Sequence, residues 1–289
     1  MSLEGINRSH IFIDANGQKT VGNPKIFIGW GIVGFIDVLG FSAEVLSSWS
    51  EEEESPLARI RRIKDAASRI PDAGMVANFP GKAQTDYSES EYRARVHTVS
   101  DSIVVCSALP PNLKDLYNIT MALSVVSYGI QMAWIAAIHE GYTIRGAIEL
   151  SKIYWSETET IGPAFVSAYC LESKIVHESR VILGPLLLHN LLKKINDDWS
   201  DWPSSKWLSV SHDDLIEISP HHLKDDLNAN LEGLEKLQKN AGRNAEKYNH
   251  ILEILRAGCF RKASIEDLKK GEVESWKQFR PTYEKLITK

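Results

Sequence analysis

Between Trp30 and Phe41 the chain reads Gly31-Ile32-Val33-Gly34-Phe35-Ile36-Asp37-Val38-Leu39-Gly40, an apolar run broken by a single carboxylate. Ile, Val and Phe dominate, and a near-continuous apolar run of this length predicts a buried strand. Burying a lone carboxylate costs several kcal/mol unless it meets a cation or hydrogen-bond donors, so Asp37 needs a reason. The following Gly40-Phe41-Ser42 predicts a strand end turning into a helix, with Ser42 as its N-cap. On its own, Asp37 reads equally as an ordinary Asp before a Gly turn. A second stretch changes the balance. Residues 91 to 106, EYRARVHTVSDSIVVC, predict a hairpin of two strands with Asp101 at its tip. Two carboxylates, each at the mouth of an apolar strand, are the minimum set for a hard divalent cation that leaves its other positions to water and phosphate. A carboxylate beside free helix amides is also where metal and phosphate can be held together.

The rest of the pattern supplies the scaffold. Residues 43–70 predict two helical pieces separated by the acidic turn Glu51-Glu52-Glu53-Glu54-Ser55-Pro56. Residues 71–90, rich in Pro, Gly, Asp and Ser, predict a loop. Leu116 to Ile138 carries no charge over 23 residues, enough to span a bilayer. Yet Thr120, Ser124, Ser127, Tyr128 and Gln131 recur along one stripe, which predicts a buried amphipathic helix and no membrane insertion. Tyr142 to Tyr154 reads as strand, Gly162 to Val176 as helix and Arg180 to Leu183 as strand. The order is α+β, with helices on one sheet face. Residues 186–219 predict a helix and an irregular stretch in which Trp199, Trp202 and Trp207 pin an extension to the core. Beyond His221, Leu223, Leu227, Leu231, Leu234, Leu237, Tyr248, Ile251, Leu252 and Leu255 predict one or two amphipathic helices. The chain therefore divides into an N-terminal segment (1–24), a main domain (25–219) and a helical extension (220–289).

Composition narrows the chemistry. The chain has 289 residues, 43% of them hydrophobic, enough for a substantial core. A net charge of −5 and a pI near 6.0 supply no general basic field and argue against duplex nucleic acid as a partner. Nucleotides stay open, because a metal provides local positive charge. Cys106, Cys170 and Cys259 are odd in number and widely spaced, which argues against a disulfide framework and suits a reducing cytoplasm. The polar residues 1–24 hold no long apolar core, so no secretory signal is expected. His221 and His222 are adjacent, point apart on a helix, and do not read as a metal pair.

Phe35-x-Asp37-x-x-Gly40-Phe41-Ser42, Ser100-Asp101 in a hairpin, Arg145-Gly146-Ala147-Ile148 and Gly162-Pro163-Ala164-Phe165-x-x-Ala168-x-x-Leu171-Glu172-Ser173 occur in the order seen in class III nucleotidyl cyclases. Over roughly residues 28–185 the chain resembles that family, and most nearly the bacterial pyrimidine cyclases of the Pycsar antiphage systems. The resemblance implies a ferredoxin-like core and conversion of a nucleoside triphosphate to a 3′,5′-cyclic monophosphate and pyrophosphate. It implies two divalent cations, Mn²⁺ or Mg²⁺, held by Asp37, Asp101 and the Val38 carbonyl, with the amides of Gly40, Phe41 and Ser42 on the phosphates. It also implies a homodimer with composite active sites and a downstream effector that binds the cyclic product.

By the same resemblance His97 and Glu159 occupy the base-reading positions. They are not the usual purine set, which favours a pyrimidine, UTP before CTP; His97 alone reads equally as a strand histidine. Where purine cyclases carry an Asn and an Arg on the later helix, this chain has Val166 and Cys170, neither of which brings a donor to an oxyanion. Arg180 and Arg145 are the cations nearest in sequence to the expected site, and Arg180, ahead of an apolar strand, is the stronger candidate for that role. A purine cyclase of the same fold and a catalytically degenerate nucleotide-binding module are the alternatives.

Overall fold

The computed structural model describes residues 11–13, 19–21, 27–48, 55–68, 94–109, 116–156, 158–195, 205, 207–220, 223, 227–257 and 261–287. Glu51 to Glu54 of the acidic turn, the loop at 71–90, Trp199, Trp202, His221, His222 and Cys259 lie outside them. Strands β1 (Ile11–Ile13) and β2 (Lys19–Val21) pair antiparallel as a small separate sheet. The long β3 (Phe27–Leu39) runs into α1 (Phe41–Ser48) and α2 (Pro56–Ser68), and the hairpin β4 (Ala94–Val99) and β5 (Ser102–Ala108) follows. After α3 (Leu116–His139) come β6 (Thr143–Trp155), β7 (Thr160–Ile161), α4 (Pro163–Ile175), β8 (Val181–Leu183) and α5 (Pro185–Leu192). The chain continues through β9 (Leu208–Val210), β10 (Ile216–Ile218), α6 (Leu227–Asn240), a 3₁₀ helix (Gly242–Tyr248), α7 (Asn249–Ala257) and α8 (Ile265–Ile287).

The main sheet has the order β4-β5-β3-β6-β8-β10-β9, with β7 paired to β6. Every pairing is antiparallel except β6 with β8, so the α+β fold class holds with one parallel pair in the sheet. Strand β3 lies inside the sheet between β5 and β6, and its side chains alternate between two cores. Ile32, Ile36 and Val38 join α3 residues such as Ile119, Leu123 and Ile130 on one face. Val33 and Phe35 join Ala164 and Ala168 of α4 on the other. Helices thus cover both faces, not one as expected, because β3 is apolar at successive positions and both sides must be buried. Gly34 lets α3 lie against the strand: a Cβ there would sit 2.7 Å from Ile130 Cδ1 and 2.9 Å from Val126 Cγ1.

Helix α3 is long and apolar enough to cross a membrane, but 78% of that stretch is buried inside the protein. The first turns of its polar stripe are satisfied along its own backbone, with Thr120 Oγ1 donating to the Leu116 carbonyl at 3.0 Å and Ser124 Oγ to the Thr120 carbonyl at 2.8 Å, whereas Ser127 Oγ and Gln131 Nε2 are buried without a hydrogen-bond partner among the described residues. Two expectations change toward the C-terminus. The stretch read as irregular contains β9 and β10, which extend the sheet, and Trp207 is half-buried just before β9. Among its described residues the extension holds α6, the 3₁₀ helix, α7 and α8 instead of one or two helices. Leu234, Tyr248, Ile251, Leu252 and Leu255 are buried in the α3 core.

Candidate functional site

The alternation of β3 aims Asp37 toward the α4 side, two residues beyond Phe35, which packs edge-on against Phe165 and Tyr169 of α4. Directly across the ladder stands Arg145 of β6. Its Nη2 donates to Asp37 Oδ2 at 3.4 Å, and its Nε lies 2.6 Å from Oε1 of Glu172 on α4, a direct ion pair not aligned as a hydrogen bond. The hairpin carries Asp101 to the same end of β3. The Val38 amide donates to the Asp101 carbonyl at 3.3 Å, and Ser42 Oγ donates to Asp101 Oδ2 at 3.0 Å. Ser42 therefore does not cap a helix that starts after it: α1 begins at Phe41, and the hydroxyl is turned to the second carboxylate. Gly40, with φ of 96°, is in the left-handed region that the sharp strand-to-helix turn demands. The first turn of α1 leaves the amides of Phe41 and Ser42 without intrahelical acceptors.

The electrostatics of this cluster follow from its geometry. Burial and then the negative charge of Asp101 raise the Asp37 carboxyl above the usual range, while Arg145 and Lys247 pull it back. Burial, opposed by Arg145 and reinforced by Asp37 and Asp101, pushes the Glu172 carboxyl up to about 7. Lys64 of α2 donates to the Ser100 carbonyl at the hairpin tip; burial lowers its ammonium and Asp101 counters that. Two mutually repelling carboxylates with partial exposure at Asp37 form a donor set that fits a hard divalent ion. Arg145, Lys247 and Lys64 surround them with the positive charge that a polyphosphate requires.

A cleft of about 700 Å³ opens beside this cluster. It is lined by Gly40, Glu44, Arg59, Lys236, Lys247 and Tyr248 among others, and shares Gly40 and Lys247 with the carboxylate site, although neither Asp lines it. The remaining candidates sit elsewhere. His97 and Glu159 are brought near each other, with His97 Nδ1 2.7 Å from Thr160 Oγ1; burial lowers the imidazole, a hydrogen bond to the Ser156 backbone opposes this, and the smaller influences of Arg95 and Glu159 run in opposite directions. His97 stands on β4 across β5 from Phe35, and its Nδ1 bonds to Thr160 of β7 and not to either Asp, so His97 and Glu159 form a second locus beside the carboxylate cluster. Arg180, expected at the phosphates, is committed to a different partner. Its side chain is 6% exposed and grips Asp213 with two hydrogen bonds of 2.8 Å each. Arg145 is the arginine at the carboxylates, because the β3–β6 register puts it there. Val166 is exposed and Cys170 is buried on α4. Burial raises the Cys170 thiol and pushes that of Cys106 up to about 12, in keeping with core filler.

Lys247 and Lys64 were not singled out from the sequence, and Glu172 entered only as part of a motif, with no site role. A signal existed for Glu172, the one acid in the mostly apolar α4. None existed for Lys247, which sits in the charged run Arg243 to Lys247 and reaches Asp37 only through long-range folding.

No family model and no curated protein matches the sequence. Among solved structures the chain is similar to a class III adenylyl cyclase-like ATP-binding protein from Pseudomonas aeruginosa, with 12% identity and a TM-score of 0.41 over 57% of this chain and 35% of that one. It is also similar to two structures of a bacterial light-regulated adenylyl cyclase. One shows 11% identity and a TM-score of 0.40 over 67% of this chain and 52% of that one, the other 12% and 0.41 over 86% and 60%. The chain thus spans between 35% and 60% of these proteins' lengths, and a likeness of this degree assigns neither activity nor substrate.

Proposed function

We propose that the chain is a metal-dependent nucleotidyl cyclase of the class III type. It converts a pyrimidine nucleoside triphosphate, UTP before CTP, into the 3′,5′-cyclic monophosphate and pyrophosphate, a signal in antiphage defence read by an effector that binds it. The observation that carries this reading is the convergence of Asp37 and Asp101 at the ends of adjacent strands, beside the first turn of α1 and among Arg145, Lys247 and Lys64. Asp37, Asp101 and the Val38 carbonyl would hold two divalent cations, which when bound neutralise phosphate oxygens and lower the cost of ionising a hydroxyl. The amides of Gly40, Phe41 and Ser42 would position the triphosphate against the helix N-terminus. Arg145 and Lys247 balance the charge on the leaving pyrophosphate as the ribose 3′-oxygen bonds to the α-phosphorus and the bond to the β-phosphate oxygen breaks. His97 and Glu159 read the base across a homodimer interface, in a composite site whose apolar rim includes the exposed Ile161, Val166 and Tyr169.

A second reading, a nucleotide-binding regulatory module, is favoured by one observation: Val166 and Cys170 offer no donor to an oxyanion. Incubating the protein with each nucleoside triphosphate and Mn²⁺ and resolving products by mass separates the two. The expected product is a cyclic pyrimidine mononucleotide, abolished by Asp37→Asn and by Asp101→Asn with melting temperatures retained. Near-normal turnover in either variant would overturn the assignment. Nucleotide binding without product from any triphosphate would establish the module.

A further inference from the structure

On the far side of β8 from the carboxylate cluster, three elements bring ligating side chains together. Glu178 follows α4, His212 lies in the turn between β9 and β10, and His250 is on α7. One donor atom from each falls within 4.8 Å of the others. His212 Nδ1 and His250 Nδ1 face each other at 3.2 Å, Glu178 Oε2 is 3.9 Å from His250 Nδ1, and Glu178 Oε1 is 3.9 Å from His212 Nε2. Donors about 2.1 Å from a tetrahedral zinc are separated by about 3.4 Å; one donor atom from each of the three residues already lies within 4.8 Å of the others, and rotation of the exposed His212 ring is the adjustment that brings a single nitrogen of it onto the ion.

The surroundings prepare the site. His250 is 5% exposed, and its Nε2 lies 2.8 Å from Oε2 of Glu217, itself 1% exposed. When a neutral His250 donates from Nε2 to Glu217, its Nδ1 lone pair is turned toward His212 and Glu178. A carboxylate that orients a ligating histidine in this way is the usual outer support of a metal site. Glu178, Glu217 and Asp213 bring three negative charges against the one positive charge of Arg180, an excess of two that a divalent ion cancels when the imidazoles are neutral. His212 is 60% exposed, which leaves an open position for entry and for a water ligand.

We infer that Glu178, His212 and His250 form a binding site for a borderline divalent ion of the zinc class, joining the C-terminal extension to the main domain. Two imidazoles and one carboxylate suit Zn²⁺ far better than the Mg²⁺ or Mn²⁺ favoured by the all-oxygen pair Asp37 and Asp101. The site also has reach. The Ser179 amide, next to Glu178, donates to the Lys247 carbonyl at 2.8 Å, so an ion here holds the segment that carries Lys247 to the carboxylate cluster.

The test is titration of chelator-stripped full-length protein with Zn²⁺ against a chromophoric competitor, with metal content counted by mass spectrometry. One zinc per chain is expected, with a raised melting temperature. Glu217→Gln should weaken binding by about 10- to 100-fold. His212→Ala should abolish tight binding, and because that side chain is exposed the variant keeps the fold. Asp37→Asn should bind zinc normally, which separates this site from the proposed cyclase site whether or not cyclase activity is found. No zinc uptake by the wild type, or unchanged uptake by His212→Ala, would overturn the inference.

Discussion

Glu149 offers a quantitative check on the central packing. It sits mid-way along β6 with no exposure, and its carboxylate accepts from the Leu150 amide at 2.8 Å and from the Leu187 and Leu186 amides at the start of α5 at 2.7 Å and 3.3 Å. Burial raises the carboxyl from an ordinary 4.5 to about 8 despite those three bonds. Between these values the folded chain keeps a proton that the unfolded chain has released, so stability falls as pH rises from 4.5, and levels off above 8. At about 1.4 kcal/mol per unit, tapering near the upper value, the loss between pH 6 and 8 comes to about 2 kcal/mol. Glu149→Gln removes the titration while keeping an acceptor for two of the amides. Its constant offset, about 1 kcal/mol for the amide group turned toward Leu186 N–H, does not depend on pH. Urea unfolding of both proteins across this range gives the assay. The wild-type minus variant difference should drop by about 2 kcal/mol, with contributions from Glu172 and His250 cancelling because both proteins share them. A flat difference curve would mean that the three amides outweigh burial and hold Glu149 ionised.

Two further substitutions separate roles within the chain. Lys247→Ala should cost about 1.5–3 kcal/mol of triphosphate or transition-state binding, the range for a charge-assisted contact, with the melting temperature little changed; steady-state kinetics on the active nucleotide, resolved into kcat and KM, measures it. Arg180→Met should destabilise by about 3–5 kcal/mol, because it leaves Asp213 and Glu217 with an uncompensated buried negative charge. A thermal melt decides this, and a fully stable Arg180→Met that has lost turnover would return Arg180 to the phosphate site.

Much of this arrangement is legible from local pattern. The apolar run of β3, the hairpin that lifts Asp101 and the uncharged α3 are short-range signals, and each appears where periodicity puts it. The same run also held evidence that both sheet faces are covered: an amphipathic strand would alternate, whereas Ile32 and Ile36 oppose Val33 and Phe35 with no polar face between them. The polar stripe of α3 is a different case. Thr120 and Ser124 mark the helix as amphipathic in sequence, but a hydroxyl on a helix can donate its proton to the carbonyl one turn earlier and need no partner outside the helix when buried.

What was not legible depends on register and on contacts between distant segments. Arg145 and Arg180 look alike in sequence, each near the start of an apolar strand. Their fates differ because β6 pairs antiparallel with β3, setting Arg145 opposite Asp37, while the turn between β9 and β10 delivers Asp213 to Arg180. The resulting division has a physical logic. A cation needed at a polyphosphate must stay available, and Arg145 satisfies this by dividing its guanidinium between a long 3.4 Å contact to Asp37 and the contact to Glu172. Arg180 is gripped by both Asp213 oxygens with near-ideal geometry and little exposure, a strong commitment that any incoming phosphate would have to break. If the cyclase proposal holds, charge compensation of the triphosphate therefore falls to Arg145 and Lys247, and Arg180 acts at a distance by fixing the β9–β10 turn that also presents His212.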